Sequence, residues 1–277
     1  MTEQTCGTLF VTGTPIGNLS DFSPRAIEAL ESADFIAAED TRVTVKLLNH
    51  FGIKKPMVIY QKFNEYEQGD IIVSRLQNGE SCAIVTDAGM PCISDPGEDL
   101  VRLCAERGVA VEVVPGPSAA ISALAVSGLS TSRFAFEGFL SVKRNSRFEH
   151  LEQVKNDTRT LIFYEAPHKL LSTLQDLLTV FGDRRISLAR ELTKIHEEVR
   201  RTTLSEAVVW YTENAPKGEF VLVIEGAAPM EETPLTLEEA VGMVKALAHG
   251  GMSLSDAARD VARQTGYKKG QLYKAAL

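Results

Sequence analysis

Carboxylates and cations gather in three short segments of this sequence: Glu39-Asp40-Thr41-Arg42, Tyr164-Glu165-Ala166-Pro167-His168-Lys169 and Arg190-Glu191-Leu192-Thr193-Lys194. A carboxylate within hydrogen-bond reach of a hydroxyl can take its proton, and a neighbouring cation steadies a phosphate or a developing alkoxide. On that chemistry Glu39, Asp40, Glu165 and Glu191 are candidate proton acceptors, and Arg42 and Lys194 are candidate anion stabilisers. Each segment taken alone equally fits a surface ion pair, and an acid at the start of a helix fits a cap, so sequence does not choose among them.

Three glycine- and proline-rich stretches stand apart: Gly13 to Asp21, Asp87 to Gly97 and Pro115 to Ala119. None matches GxxxxGK[ST] or GxGxxG, which disfavours a phosphate cradle. The second is too long for a simple turn, and its aspartates Asp87 and Asp95 flank small residues that let backbone approach a ligand. The basic stretch Lys143-Arg144-Asn145-Ser146-Arg147 reads as a loop able to grip a phosphate backbone, with a solvated basic turn as the plainer alternative. Cys6, Cys82, Cys92 and Cys104 form no CxxC pair and read as structural thiols, and the five histidines have no ligand-like spacing, so no metal is expected.

The elements that must position these residues follow from periodicity and caps. Strands are expected at 8–12, 34–38, 56–60, 82–86 and 109–114, alternating with helices that open at Ser23-Pro24, at 41–51, 66–77 and 98–107. This alternation gives an α/β unit with a largely parallel sheet, and each glycine-rich stretch follows the C-terminal end of a strand, where open α/β sheets bind ligands. A second α/β unit follows the small-residue helix 118–126, with strands at 133–137, 160–165, 185–190, 197–203 and 219–225, a polar loop after the first, a helix at 168–180, and a more mixed sheet. Pro229 to Pro234 reads as a linker. Beyond it Thr236 with Glu239 and Ser253 with Asp256 open helices, Gly266 stops one, and Lys268, Lys269 and Lys274 follow, a helix-turn-helix-like pattern that a plain packing bundle also fits. The expected domains are 1–117, 118–228 and 235–277.

Hydrophobic residues at 44% and charged residues at 24% describe an ordinary globular chain. The apolar runs are strand-sized and the start, MTEQTCGTLF, lacks signal-peptide features, so a cytoplasmic location is expected. A net charge of −8 opposes a polyanionic partner at long range, but screening limits that field to about 8 Å at physiological salt, leaving local basic patches in control.

Together these stretches resemble the bacterial 16S rRNA cytidine 2'-O-ribose methyltransferases of the tetrapyrrole methylase superfamily. The resemblance runs through GTPIGNLSD, ADFIAAEDTR, Phe63-Asn64-Glu65, TDAGMPCISDPG, PGPSA, GFL and the basic stretch after it, YEAPHK, RELTK and the helical tail. It implies two α/β domains with S-adenosyl-L-methionine in the cleft between them, S-adenosyl-L-homocysteine as product, a homodimer, and a decoding-centre cytidine of 16S rRNA in the 30S subunit as substrate. On the matching positions the cofactor would meet Thr14, Pro15, Asp87, Gly89, Met90, Pro91, Ser118, Ala119, Tyr164 and Ala166, with Gly226 and Ala227 completing the pocket. Lys143, Arg144, Arg147, Lys268 and Lys269 are the expected RNA contacts. Lys169 departs from the arginine frequent in relatives, a point charge where a planar fork would stand. A precorrin-type methyltransferase and a non-catalytic RNA-binding regulator are the alternatives. Methyl transfer to a hydroxyl needs in-line alignment, which supplies about 7 to 11 kcal/mol, more than the about 10²- to 10⁴-fold of a general base.

Overall fold

The computed structural model describes residues 6–229 and 235–277. Residues 230–234, most of the expected linker, lie outside the described residues. The first sheet holds β1 (Thr8–Thr12), β2 (Phe35–Ala38), β3 (Met57–Ile59), β4 (Cys82–Val85) and β5 (Ala110–Val114) in the order β3-β2-β4-β1-β5. Every pairing in it is parallel. All residues of β2 and β4 are buried, as continuous apolar strands covered on both faces must be.

The covering helices are α1 (Pro24–Ser32) and α2 (Thr41–His50) on one face, α3 (Glu65–Gln77) and α4 (Glu98–Glu106) on the other. Leu30 and Leu48 pack with Ile36 and Val85, while Ile72, Leu76 and Leu100 pack with Leu9, Phe35 and Ile84. The Ser23 hydroxyl accepts the Ala26 N–H at 3.1 Å, with Pro24 opening α1, and Asp40 accepts the Arg42 N–H at 2.8 Å to cap α2. At the edge, Ala110, Val111, Glu112 and Val113 of β5 are exposed.

The second sheet holds β6 (Phe134–Phe139), β7 (Thr160–Glu165), β8 (Arg185–Arg190), β9 (Glu198–Thr203) and β10 (Phe220–Ile224) in the order β6-β7-β10-β8-β9. Only β6 and β7 are parallel; β10 runs antiparallel to both β7 and β8. One face packs under α6 (Arg144–Val154), α7 (Leu170–Phe181) and α8 (Leu204–Glu213). Against the other face lies α5 (Ala119–Val126), whose Ala120, Ala123 and Leu124 meet Ile162, Ala189, Val221 and Val223.

One sequence expectation is corrected here. The polar stretch after β6 is not a loop: its apolar positions Phe148, Leu151 and Val154 recur at helical spacing and give α6, with Leu151 fully buried.

The C-terminal unit, Ala228–Leu277, is compact in itself. It comprises α9 (Leu237–His249), α10 (Leu254–Thr265) and α11 (Lys269–Ala276) around Ala240, Val244, Ala257, Ala258, Val261 and Leu272. Thr236 and Glu239 form a reciprocal capping box on α9. Ser253 caps α10, and Gly266 ends it in the left-handed region at φ +74°.

Candidate active site

The three glycine-rich stretches are tied to one another. Thr14 and Gly89 exchange backbone hydrogen bonds at 2.9 and 3.1 Å, and the buried Thr14 hydroxyl donates to the Thr86 carbonyl at 3.1 Å. A Cβ on Gly13 would stand 2.7 Å from Gly116 Cα, so the loops after β1 and β5 touch only because both residues are glycine. The Gly116 N–H in turn donates to Met90 Sδ at 3.3 Å.

Beside this junction a cavity of about 410 Å³ opens between the two sheets. That volume suits a small-molecule site. From the first sheet the loop Asp87 to Met90 and the segment Ile93 to Asp95 line it, together with Ser118 and Ala119 at the start of α5. From the second come Tyr164 and Glu165 at the end of β7, Ala166 and Pro167 after it, and Glu191, Leu192 and Lys194 after β8. Glu219, Phe220 and Val221 complete the wall because β10 runs antiparallel, so its first residues lie beside the last residues of β7 and β8. Tyr164 is fixed by Phe136 and Phe139, with ring centroids at 5.0 and 5.3 Å, and its hydroxyl accepts the Ala120 N–H at 3.2 Å.

The wall is acidic. Glu39, Asp87, Asp95, Glu165, Glu191 and Glu219 face Lys194 as the sole cation among the lining residues. The Asp87 N–H donates to Glu39 Oε2 at 3.3 Å. Burial raises the pKa of Glu39, with the Asp87 and Asp40 charges adding to it against the Asp87 amide. Burial likewise raises Asp87, helped by Asp40. Asp95 is pushed up to about 6 by burial and by the charges of Glu39 and Asp87. Such a wall attracts a cationic ligand and repels a phosphate.

Across the cavity Lys194 Nζ lies 3.1 Å from Glu191 Oε1 and 3.7 Å from Glu219 Oε2. Burial acts on Glu191 against ionisation, but the Lys194 ammonium and the Glu219 amide together outweigh it and leave the pKa lowered. Glu191 and Thr193 both have left-handed backbone, φ +51° and +66°, a costly conformation for side-chain-bearing residues. Neighbours hold that turn in place: a Cβ on Gly17 would stand 2.5 Å from Lys194 Cγ, and one on Gly218 would stand 2.5 Å from Glu191 Oε1.

Residues 8–208 match the family model described as Tetrapyrrole (Corrin/Porphyrin) Methylases, and residues 236–277 match the RsmI C-terminal HTH domain. The ribosomal RNA small subunit methyltransferase I of Synechocystis sp. is 47% identical over 98% of each chain. The proteins of that name from Haemophilus influenzae and Escherichia coli O157:H7 are each 44% identical, over 100% and 99% of this chain and 98% and 96% of their own. The chain belongs to the ribosomal RNA small subunit methyltransferase I family. Solved structures of a uroporphyrin-III C-methyltransferase from Thermus thermophilus match with TM-scores of 0.55 and 0.56 at 19% and 16% identity, covering 78% of this chain and 94% and 97% of theirs. At that identity they establish the fold, two α/β layers flanking a cleft.

In this family member the cleft gathers Asp87, Gly89, Met90, Ser118, Ala119, Tyr164 and Ala166, seven of the positions expected to meet a cofactor. Thr14 is buried beneath the cleft, holding Gly89, and neither Pro15 nor Pro91 is among the lining residues. Gly226 and Ala227 do not belong to the cavity. They follow β10 at its far end, where the Ala227 N–H meets the Asp157 carbonyl before β7 begins, about 20 Å along the chain from Phe220. The resemblance implied that they complete the pocket, but β10 runs away from this cavity and carries them to the opposite end of the sheet.

The acid and base candidates divide. Asp40 caps α2 and grips Arg42 at 2.6 Å, and these bonds hold its pKa down to about 2, making it a weak proton acceptor. Its neighbour Glu39 is the one that lines the cavity. Glu165 is buried and engaged on three sides, by Thr173 Oγ1 at 2.6 Å, the Ala166 N–H at 2.8 Å and Lys169 Nζ at 3.0 Å. That saturation makes Glu165 a scaffold for the turn at Ala166, and Lys169 supports it as a point charge. Arg147, expected on an open basic loop, is buried on α6 and bonded to Asp176 at 2.5 Å, so it cannot reach a nucleic acid. Lys143, Lys268 and Lys269 are exposed, and Arg144 is 71% exposed while resting 3.3 Å from Asp176. Asp95, singled out in sequence only as the second aspartate of TDAGMPCISDPG and given no contact, lines the cavity, and so does Glu219, which carried no sequence signal.

Proposed function

We propose that this chain transfers a methyl group from S-adenosyl-L-methionine to the ribose 2'-hydroxyl of a decoding-centre cytidine in 16S rRNA, acting on the 30S subunit in the cytoplasm as a homodimer. The observation that carries this reading is the similarity of 44–47% over nearly the whole length to proteins named ribosomal RNA small subunit methyltransferase I. The uncovered strand β5, with Val111 and Val113 exposed, supports the dimer. The domain bounds 1–117, 118–228 and 235–277 belong to this proposal; by its internal contacts the chain divides into two compact units, Met1–Ala227 and Ala228–Leu277.

The residues present fit the cofactor on an observation of their own: the cavity is acid-rich, small-residue-lined at Ala88, Gly89, Ala119 and Ala166, and apolar at Leu192 and Phe139. When bound, S-adenosyl-L-methionine supplies an electrophilic methyl group on a positively charged sulfur. Asp87 and Asp95 would hold its cationic groups, and Met90, Ser118 and Tyr164 would fix its orientation. Glu39, whose proton affinity burial raises, is better suited than Asp40 to accept the hydroxyl proton. Lys194, fixed by Glu191, steadies the developing negative charge on the ribose oxygen, and Arg42, oriented by Asp40, meets a phosphate. Glu165 acts through Ala166, keeping that edge of the pocket rigid.

The test is incubation with radiolabelled cofactor and either 30S subunits from a strain lacking the corresponding gene or uroporphyrinogen III. Label in 16S rRNA at one alkali-resistant cytidine linkage is the expected result. Label only in the tetrapyrrole would overturn it.

A further inference from the structure

Two aromatic side chains on the rim of the first sheet have no partner that accounts for their position. Phe63 is 85% exposed and Tyr66 is 89% exposed. Burying such a ring is favourable, so exposing two of them three residues apart calls for a reason.

The segment that carries them is built, not loose. Asn64 closes a turn by accepting the Gln61 N–H at 2.7 Å and donating to the Ile59 carbonyl at 3.2 Å. Tyr60 beneath it is buried, and its N–H donates to the Ala38 carbonyl at 2.9 Å. The segments after β2 and β3 therefore leave the sheet side by side, one running through Glu39 to Arg42 in the first turn of α2, the other through Phe63 to Tyr66 in the first turn of α3. Arg42 presents a side chain that is 87% exposed. Glu65 is near enough to Cys92, in the loop that walls the cavity, for its charge to join burial and the charges of Glu98 and Asp95 in pushing that thiol up to about 11.

The geometry points to Phe63 and Tyr66 as a stacking platform for unpaired bases of the RNA substrate that flank the nucleotide entering the cavity. This rests on the proposed RNA reading and names what the pocket rim recognises. Three observations favour bases over a protein surface. The residues beside the rings in sequence, Lys62, Asn64, Glu65 and Glu67, are polar, and the exposed apolar side chains of Ile59 and Ile71 are each about half covered, so the segment presents single rings and not a run of apolar residues that would make a patch for a protein partner. Every base offers a π face, and stacking on an isolated aromatic ring needs no such patch. The platform segment is tied to the cavity wall by the Tyr60 N–H on the Ala38 carbonyl at 2.9 Å, one residue before the lining residue Glu39, so a strand lying across it approaches the site. Because a ring can stack only on a base freed from its helix neighbours, the substrate is taken as a locally single-stranded segment.

The test compares wild type with Phe63→Ala/Tyr66→Ala, Phe63→Leu/Tyr66→Leu and Phe63→Trp/Tyr66→Phe on 30S subunits, with cofactor affinity by calorimetry and mass by sedimentation measured alongside. The alanine pair is expected to raise KM for 30S about tenfold or more, given the loss typical of one stacked base, with cofactor affinity within about twofold of wild type. The Trp/Phe pair should restore KM, and the leucine pair should not. Restoration by leucine, an unchanged KM in the alanine pair, or a shift of that variant to a smaller assembly would each overturn the platform while leaving the RNA reading intact. A wild-type protein that fails to label 30S at all would instead remove the RNA reading, and this inference with it.

Discussion

Gly13 and Gly116 meet backbone against backbone, with 2.7 Å between the position a Cβ would take on Gly13 and the Gly116 Cα. This contact sets how far apart the loops after β1 and β5 can lie, and hence where Ser118 and Met90 stand in the cavity. Gly116→Ala must push the two loops apart, because the neighbour is backbone and cannot swing away. Overpacking of this kind costs about 1–3 kcal/mol. The expected outcome is a folded protein whose affinity for S-adenosyl-L-methionine falls at least tenfold by calorimetry, and wild-type affinity would show that the loops are not coupled.

Asp95 makes the cavity sensitive to pH. In the folded chain it titrates at about 6, against 3.8 for a free aspartate. Between those values the folded state keeps a proton that the unfolded state has lost, so this residue's contribution to stability declines as pH rises from about 4 to 6. Asp95→Asn is therefore expected to match wild type in Tm at pH 4 and exceed it at pH 7. Binding should change the opposite way: wild-type affinity for the cationic cofactor rises through pH 6 as the carboxylate forms, while the variant's stays flat. Parallel titration curves would contradict the assignment.

Glu165 is held by Lys169, Thr173 and the Ala166 amide. Removing the cation strands a buried charge, a loss that costs about 3–5 kcal/mol when the carboxylate has no other donors and less here, where two remain. Urea unfolding should show Lys169→Met destabilised by about 2 kcal/mol and Lys169→Arg near wild type. If Lys169→Met kept full stability, the residue's purpose would have to be sought in the cavity instead.

Arg147 and Lys143 are neighbours in sequence with opposite roles. Arg147→Ala leaves Asp176 buried with only the longer Arg144 contact, and a loss of about 3 kcal/mol is expected. Lys143→Ala, on the surface, should change stability by less than about 0.5 kcal/mol and lower 30S affinity modestly. Equal stability of the two variants would show that the Arg147 pair is worth little.

The parallel sheet was legible because short apolar runs alternate with helices, two of them closed at Gly52 and Gly108, and Ser23-Pro24 and Thr236 with Glu239 announce their helices by local chemistry. The three loops were legible for the same reason: glycine and proline mark where backbone must turn or approach. What could not be read was long-range. Nothing in the residues 219–225 states which way that strand runs, so the wall residues Glu219 and Phe220 went unseen and Gly226 and Ala227 were assigned in their stead. Arg147 looked like its exposed neighbours, since its partner Asp176 lies 29 positions away. Glu165 looked catalytic for a related reason: a carboxylate saturated by Thr173 and Lys169 has the same letters around it as a reactive one.

The exposed strand β5 bears on how the separated chain behaves in solution. Arg25 occupies the Val113 carbonyl at 3.0 Å, which blunts one point of that edge. Val111 and Val113 remain open beside it, a short template to which another strand can add. Should the proposed pairing of two copies cover this edge, a variant that blocks the pairing would precipitate more readily at a given concentration while keeping its folded stability.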